Sequence, residues 1–311
     1  MTRNELTLLQ RDQLRATDPG CAPDRDASLQ RVRRGIYVDA AEIASADREQ
    51  RYLTRIRAVS AMRPRAVLAR ESALAVHGVP YGLEPDAVHT VGDARTARRK
   101  AGVAHAVADL DLADVVDVGG LRVTSLPYAL AHVARVREPH VAVAAIDWAL
   151  HRGLTTRDAI AAALARQPKR GRAAAAWAIA FADAGAESVG ESWSRVLIHE
   201  LGFEVPQLQL WVEGASGRMH RVDMRWMRPG RRPLYGEFDG MAKYGELAQQ
   251  AGRSGARELE REKVREDDIR VSGDVARWVW THLLHPERLE RVLLAHGVPR
   301  IRPAKPGLVG R

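Results

Sequence analysis

The chain has 311 residues, more than one core usually serves, so two or three compact units are expected. Apolar residues make up 46% and charged residues 28%, and no run approaches the ~18 uninterrupted apolar residues of a membrane helix, which excludes a helical membrane protein. The single Cys21 excludes an internal disulfide and any multi-cysteine zinc or iron–sulfur site, as expected for a reducing compartment. The first residues, MTRNELTLLQRDQLR, carry both charge signs and no apolar core before a small-residue cleavage site, so the expectation is a cytoplasmic protein. A formal charge of +9 points to a polyanionic partner, with nucleic acid the commonest. Lysine occurs only at positions 100, 169, 243, 263 and 305, so arginine supplies nearly all the positive charge; a GC-rich genome would give the same bias.

Taken in order, ELTLLQRDQLR over 5–15 reads as a short helix, followed by a Pro/Gly/Asp break over 18–26. In SLQRVRRGIYVDA, Leu29, Val32, Ile36 and Val38 flank Gly35 as two short strands meeting at a turn. With a preceding helix pair this hairpin would form the wing of a winged-helix DNA reader, its Arg31, Arg33 and Arg34 meeting phosphate or groove; alternatively it is a solvated basic hairpin. The expected divisions are 1–46 for this region, 47–165 for a mixed α+β middle, 173–300 for a C-terminal domain and 301–311 for a flexible tail. In the middle, helical signals fall near 47–61, 70–77 and 141–151, and strand-like runs near 87–91 and 114–125. His77, His89, His105, His132 and His140 lack metal-ligand spacing and are assigned no role. The segment QPKRGR, 167–172, mixes Pro, Gly and charge between alanine-rich helices and reads as a linker.

Beyond it the pattern sharpens. Ser188 and Glu191 have capping-box spacing, and Trp193, Val196, Leu197 and Leu201 form the apolar face of a helix ending at Gly202. VPQLQLWV and MHRVDMRW alternate with period two, which sets Val222, Met224 and Trp226 against Arg221, Asp223 and Arg225. LYGEFD is a third strand with Glu237 and Asp239 on one side. A charged helix over 256–270, a buried strand in VARWVW and a last helix opened by Pro286 complete the order helix, three strands, helix, strand, helix. Clustered carboxylates hold hard cations such as Mg²⁺ or Mn²⁺, which polarise a phosphate and acidify an attacking water; Asp223, Glu237 and Asp239 meet that need. Lys243 or Lys263 is the candidate positive group for the charge developing in the transition state. Each residue also has a structural reading: Glu191 as a cap, Asp223 as a partner of surface arginines, D-G at 239–240 as a turn, and REDD at 265–268 as a solvated helix face.

These residues together resemble the PD-(D/E)XK superfamily, in the branch similar to very-short-patch-repair endonucleases. The likeness covers about 187–285 and is carried by GES at 190–192, RVDMRW at 221–226, GEFDG at 236–240, EKVRED at 262–267 and ARWVW at 276–280. It implies a C-terminal α/β nuclease-like domain with Glu191 as the helix acid and Asp223 and Glu237 as strand acids, all six of the carboxylates and lysines named above being catalytic candidates. Where the family pattern expects lysine this chain has Asp239, and Lys243 or Lys263 stands in. The SLQRVRRGIYV hairpin, ARESALAVHGVP and GLRVTSLPYALAHVAR over about 5–150 resemble AbiEi-type antitoxins and transcriptional regulators, which implies an α+β region with a winged-helix start. The two resemblances imply a DNA-binding protein with Mg²⁺-dependent phosphodiester hydrolysis, or else a non-catalytic repressor or antitoxin with a cognate toxin. They do not fix the oligomeric state.

Overall fold

Most of the apolar runs above form strands or helices in the computed structural model, which describes residues 6–92, 98–240 and 263–308. The architecture is mixed α+β, with three sheets among the described residues. The chain divides into two units: the first holds 1–138 and 153–180, the second 139–152 and 181–311.

The first unit begins with β1 (Leu9–Gln10), α1 (Arg11–Thr17), β2 (Leu29–Arg33), β3 (Ile36–Asp39) and α2 (Ala40–Ser45). The helix expected over 5–15 starts later than its leucines suggest, because Leu9 and Gln10 pair with Tyr37 and Ile36 as an edge strand. Gly35, at φ +78°, supplies the left-handed turn of the β2–β3 hairpin, and the sheet order is β1-β3-β2. Leu6, Leu8, Val32, Val38, Ile43 and Ala46 form a small core beneath it. Then follow α3 (Arg48–Met62), β4 (Val67–Leu68), α4 (Arg70–Val76), β5 (Val88–Gly92), β6 (Arg98–Lys100), β7 (Val103–Val107), β8 (Val115–Val118), β9 (Leu121–Thr124) and α5 (Leu126–Val136). The strands make a six-stranded sheet of order β6-β7-β5-β4-β9-β8. After α6 (Pro139–His151), which belongs to the second unit, α7 (Arg157–Ala165) and α8 (Arg172–Phe181) carry the chain onward. The QPKRGR stretch is packed rather than free: Gln167 is buried and donates to the Tyr128 carbonyl at 2.9 Å, and Arg135 grips the Arg170 carbonyl at 2.7 Å. A polar composition read as a linker is therefore used to satisfy backbone carbonyls.

The second unit contains α9 (Val189–Glu200), β10 (Gln207–Glu213), β11 (Met219–Trp226), β12 (Leu234–Asp239), a helix α10 at 263–269, β13 (Asp274–Val279), α11 (Trp280–Leu284) and α12 (Pro286–Ala295). The sheet order is β10-β11-β12-β13, antiparallel except for the parallel β12–β13 pair. That parallel pair requires the crossover on which α10 lies. One side of the sheet buries Met224, Trp226, Leu234, Ala276 and Trp278 against Leu197, Ile198 and Leu201 of α9 and Leu289 and Leu293 of α12. A smaller core joins Tyr235 and Val275 to Ile269 of α10. Between α6 and α9, Asp147 and Arg195 form a buried ion pair at 3.2 Å; burial raises the Asp147 carboxyl to about 6 although the guanidinium opposes the shift.

Two glycines set how closely these layers approach. A Cβ at Gly190 would lie 1.9 Å from the Phe238 ring, and one at Gly236 would lie 2.6 Å from Trp278 and 2.7 Å from Trp226. The glycines of GES and GEFDG thus admit α9 and two indoles to the strand surface. Gly236→Val should destabilise the fold by about 1–3 kcal/mol, as overpacking of a core does. Tryptophan fluorescence in a denaturant titration will check this, and an unchanged midpoint would contradict the packing argument.

Candidate functional site

The acidic residues read from the sequence lie in the second unit, around the middle of its sheet. Helix α9 starts with Ser188, whose Oγ accepts the Glu191 N–H at 3.1 Å. The reciprocal half of the expected capping box is absent: Glu191 Oε2 instead accepts from the Glu187 N–H at 3.1 Å and from Gln209 Nε2 at 3.0 Å. The Gln209 amide draws the carboxylate toward the sheet and away from the Ser188 backbone. Glu191 is only 6% exposed.

Asp223 projects from β11. The β11–β12 pairing runs from Trp226↔Leu234 to Met224↔Gly236, and one step further sets Asp223 opposite Glu237. There the ladder gives way to a side chain: the Phe238 N–H donates to Asp223 Oδ2 at 3.3 Å. On the other flank, β10 pairs Leu208 with Met224 and Leu210 with Val222, which brackets Gln209 beside Asp223. Gln209 has φ +51°, an unfavourable conformation for a residue with a Cβ, and such outliers cluster where a site imposes them. Burial, then the nearby Glu191 and Glu237 carboxylates, push Asp223 up to about 7; the Phe238 N–H and Arg265 act in the opposite sense. Three acids from a helix and two strands therefore share one field.

Glu237 is 8% exposed and compensated. Arg265 Nη1 lies 3.0 Å from its Oε1 and Arg277 Nη2 lies 2.7 Å from its Oε2. Arg265 also donates to the Arg221 carbonyl at 2.6 Å, and Arg277 reaches Glu266 at 3.3 Å. Asp239 is half-buried at the end of β12, two residues on and so on the same side of the strand as Glu237. Among the described residues, no three His, Cys, Asp or Glu side chains are grouped closely enough to hold a metal ion. Both oxygens of Glu237 instead face guanidinium groups. Lys263 is exposed at the start of the described part of α10. Lys243 lies outside the described residues.

The positive groups at Glu237 are residues the sequence reading passed over. Arg265 was placed on a solvated helix face, yet it pairs with Glu237; in the same REDD stretch Asp268 accepts from Ser216 Oγ at 2.7 Å and lies 2.6 Å from His220 Nε2. The signal for Arg277 was available, since a charge inside the apolar run VARWVW needs a partner where the strand face is covered. Gln209 gave no such signal, because its role depends on a backbone conformation.

In the first unit the arginines of the β2–β3 hairpin are partly engaged. Arg31 lies 3.3 Å from Asp24, Arg33 donates to the Ala101 carbonyl at 3.0 Å, and Arg34 is exposed. Arg33 and Arg34 line a cleft of about 390 Å³ together with Arg55, Met62 and Gly102. Burial, then the neighbouring Arg63, lower the Arg33 pKa. Three arginines and no acid line the cleft, which makes it electropositive.

No family model matches the chain. It is similar to two uncharacterized proteins of Mycobacterium tuberculosis, Rv2248 of strain H37Rv and MT2308 of strain CDC 1551, each 38% identical over 111 residues. The match covers 35% of this chain and 41% of each relative, so the chain spans less than half the length of the curated relatives it matches. Among solved structures it is similar to the crystal structure of the Rv2827c protein from Mycobacterium tuberculosis, at 15% identity and a TM-score of 0.38, over 56% of this chain and 71% of that one.

The raised pKa of Asp223 has a thermodynamic sign. An acid whose pKa is higher folded than unfolded stabilises the fold below its unfolded pKa and loses that contribution as pH rises from near 4 through about 7. In EDTA, Asp223→Asn should therefore melt above the wild type at about pH 8, with the gap closing toward about pH 4. Thermal midpoints across that range measure it; a gap independent of pH would show that Asp223 is not the titrating group.

Proposed function

We propose that the chain is a DNA-binding protein whose second unit is a PD-(D/E)XK-type nuclease domain, hydrolysing DNA phosphodiesters with Mg²⁺ or Mn²⁺ in defence or DNA maintenance. The observation that carries this reading is the approach of Glu191, Asp223 and Glu237 from one helix and two strands, where burial first and then the two neighbouring carboxylates raise Asp223 to about 7. Crowded carboxylates are costly unless a cation or a proton relieves them. Their oxygens are the hard donors that Mg²⁺ prefers; as they stand the acids are not grouped closely enough for an ion, so Asp223, Glu237 and Asp239 would hold one only with Glu237 exchanging a guanidinium for it and the side chains drawing together. The ion supplies Lewis-acid polarisation of the phosphate and a more acidic attacking water. Gln209 orients Glu191, the Phe238 N–H orients Asp223, and Arg265 or Arg277, if released from Glu237, would be the guanidinium available to the negative charge on the phosphate.

Supercoiled plasmid incubated with the full chain and Mg²⁺ or Mn²⁺ should be nicked, and EDTA should stop the reaction. Asp223→Ala should lose at least about 100-fold in rate, as removal of a principal electrostatic group does, while keeping its circular dichroism spectrum. Wild type that cleaves no form of DNA with either ion overturns the catalytic part of the reading.

A specific observation favours the second reading, a non-catalytic transcriptional repressor or antitoxin that keeps this domain as a scaffold, with a cognate toxin as partner. Arg265 and Arg277 occupy both carboxylate oxygens of Glu237, as the partners of a structural acid would. Both readings share DNA binding through a winged-helix wing at Arg31, Arg33 and Arg34, beside the electropositive cleft. Replacing all three with Ala should flatten the dependence of log K on log salt by up to about 0.9 for each phosphate the variant no longer neutralises. Fluorescence anisotropy at two salt concentrations reads this directly, and an unchanged slope removes the wing from the interface.

A further inference from the structure

The first unit contains a second cluster of charge, unrelated to the wing. Arg70, the first residue of α4, has φ +52°, a conformation that residues with a Cβ adopt only where their surroundings impose it. Its guanidinium folds back on the next residue, Glu71, which is wholly buried at 0% exposure. Arg70 Nη2 donates to Glu71 Oε1 at 3.1 Å, and Arg137 Nε lies 3.5 Å from the same oxygen. His89 Nε2 is 3.5 Å from Oε2, too far for a hydrogen bond. His132, on α5, is close enough to Arg70, Arg135 and His89 to respond to their charge.

Glu71 Oε2, Arg70 Nε, Arg137 Nε and His132 Nδ1 are all sheltered from solvent and have no hydrogen-bond partner among the described residues. Buried polar atoms are paired in about nine cases of ten, so four unpaired atoms in one cluster define a complementary ligand. Three are nitrogens, two of them arginine donors, and the fourth is a carboxylate acceptor. Burial holds His89 down to about 4 and His132 down to about 3, so both rings are neutral; Glu138 Oε2 lies 3.6 Å from Arg137 Nε but its side chain is 64% exposed and screened by solvent, so within the sheltered cluster two arginines face the single carboxylate of Glu71. The complement is an anion with several acceptor oxygens and one O–H. Sulfate has the size and charge but no proton near neutral pH, and a phosphodiester has none either; each would set a bare oxygen against Glu71 Oε2.

We propose that Arg70, Glu71, His132 and Arg137 form a binding site for a protonated phosphate group, either inorganic phosphate or the terminal monoester of a nucleotide or nucleic acid. Arg70 and Arg137, whose side chains are 23% and 28% exposed at the open edge of the cluster, take the anionic oxygens. Glu71 accepts the O–H.

Calorimetric titration of the full chain tests the site with inorganic phosphate, sulfate, adenosine monophosphate, and one oligonucleotide with and without a 5′-phosphate. The titrations are run near pH 6, where a monoester keeps its last proton on about half its molecules. Phosphate should bind with a Kd of about 1 mM or tighter, and sulfate about tenfold or more weakly. Tighter binding of the monophosphate and of the 5′-phosphorylated strand assigns the site to a monoester; preference for the free ion assigns it to inorganic phosphate. Glu71→Gln, which replaces an acceptor by an amide donor, should bring sulfate level with phosphate. Arg137→Ala, at the open edge, should weaken phosphate by about tenfold, and it carries the test where the buried Glu71→Gln does not fold. Equal binding of sulfate and phosphate by the wild type, absence of phosphate binding up to about 10 mM, or phosphate binding unaltered in a folded Arg137→Ala variant would each overturn the proposal.

Discussion

A carboxylate on a sheet that is then covered by a helix must find a counter-charge, and in the second unit this requirement ties three elements together. Glu237 of β12 draws Arg277 from the parallel neighbour β13 and Arg265 from α10, the helix of the crossover between those strands. Arg277 in turn reaches Glu266, and Arg265 reaches the β11 backbone. One buried acid thus fixes the seat of the crossover helix. Its neighbour Asp223 forms no ion pair with a guanidinium among the described residues, and its pKa rises instead. The two acids show both ways in which a fold accommodates a buried carboxylate.

The opposite side of the same sheet is governed by volume rather than charge. Gly190 and Gly236 admit Phe238, Trp226 and Trp278 at distances no Cβ would allow, and the Trp278 indole N–H is satisfied by Ser194 Oγ at 2.7 Å. Helix α9 therefore lies close enough to the strands for Glu191, on its first turn, to reach the Gln209 amide and Asp223's field. Close packing on one side and charge on the other converge on the same few residues. The strained backbone of Gln209 lies where the two meet.

The first unit repeats the problem with a different solution. Glu71 is more deeply buried than Glu237, yet only one of its oxygens is hydrogen-bonded. Two arginines and two neutral histidines surround it without completing its pairing. A buried carboxylate left partly unpaired is expensive, which is why Glu71 reads as an acceptor held ready for a donor rather than as a structural ion pair.

The order of elements in the second unit, the turn at Gly35, the period-two alternation of β11 and the shared side of Glu237 and Asp239 were legible in the sequence, because each is fixed by contacts between residues near in the chain. Glu191, Asp223 and Glu237 were legible as acids in a recognisable order. Their compensation was not: Arg265 and Arg277 reach Glu237 from 28 and 40 positions away, and no local pattern separates a solvated REDD helix from one whose arginine turns inward. The same holds for Gln167, whose polar neighbourhood suggested a linker but which is buried against Tyr128, and for His89 and His132, which gain significance only beside Glu71. Periodicity and turn chemistry are local and specify which elements form. Desolvation is set by everything that packs around a group, so the charge state and partners of each buried acid were decided by the tertiary structure alone.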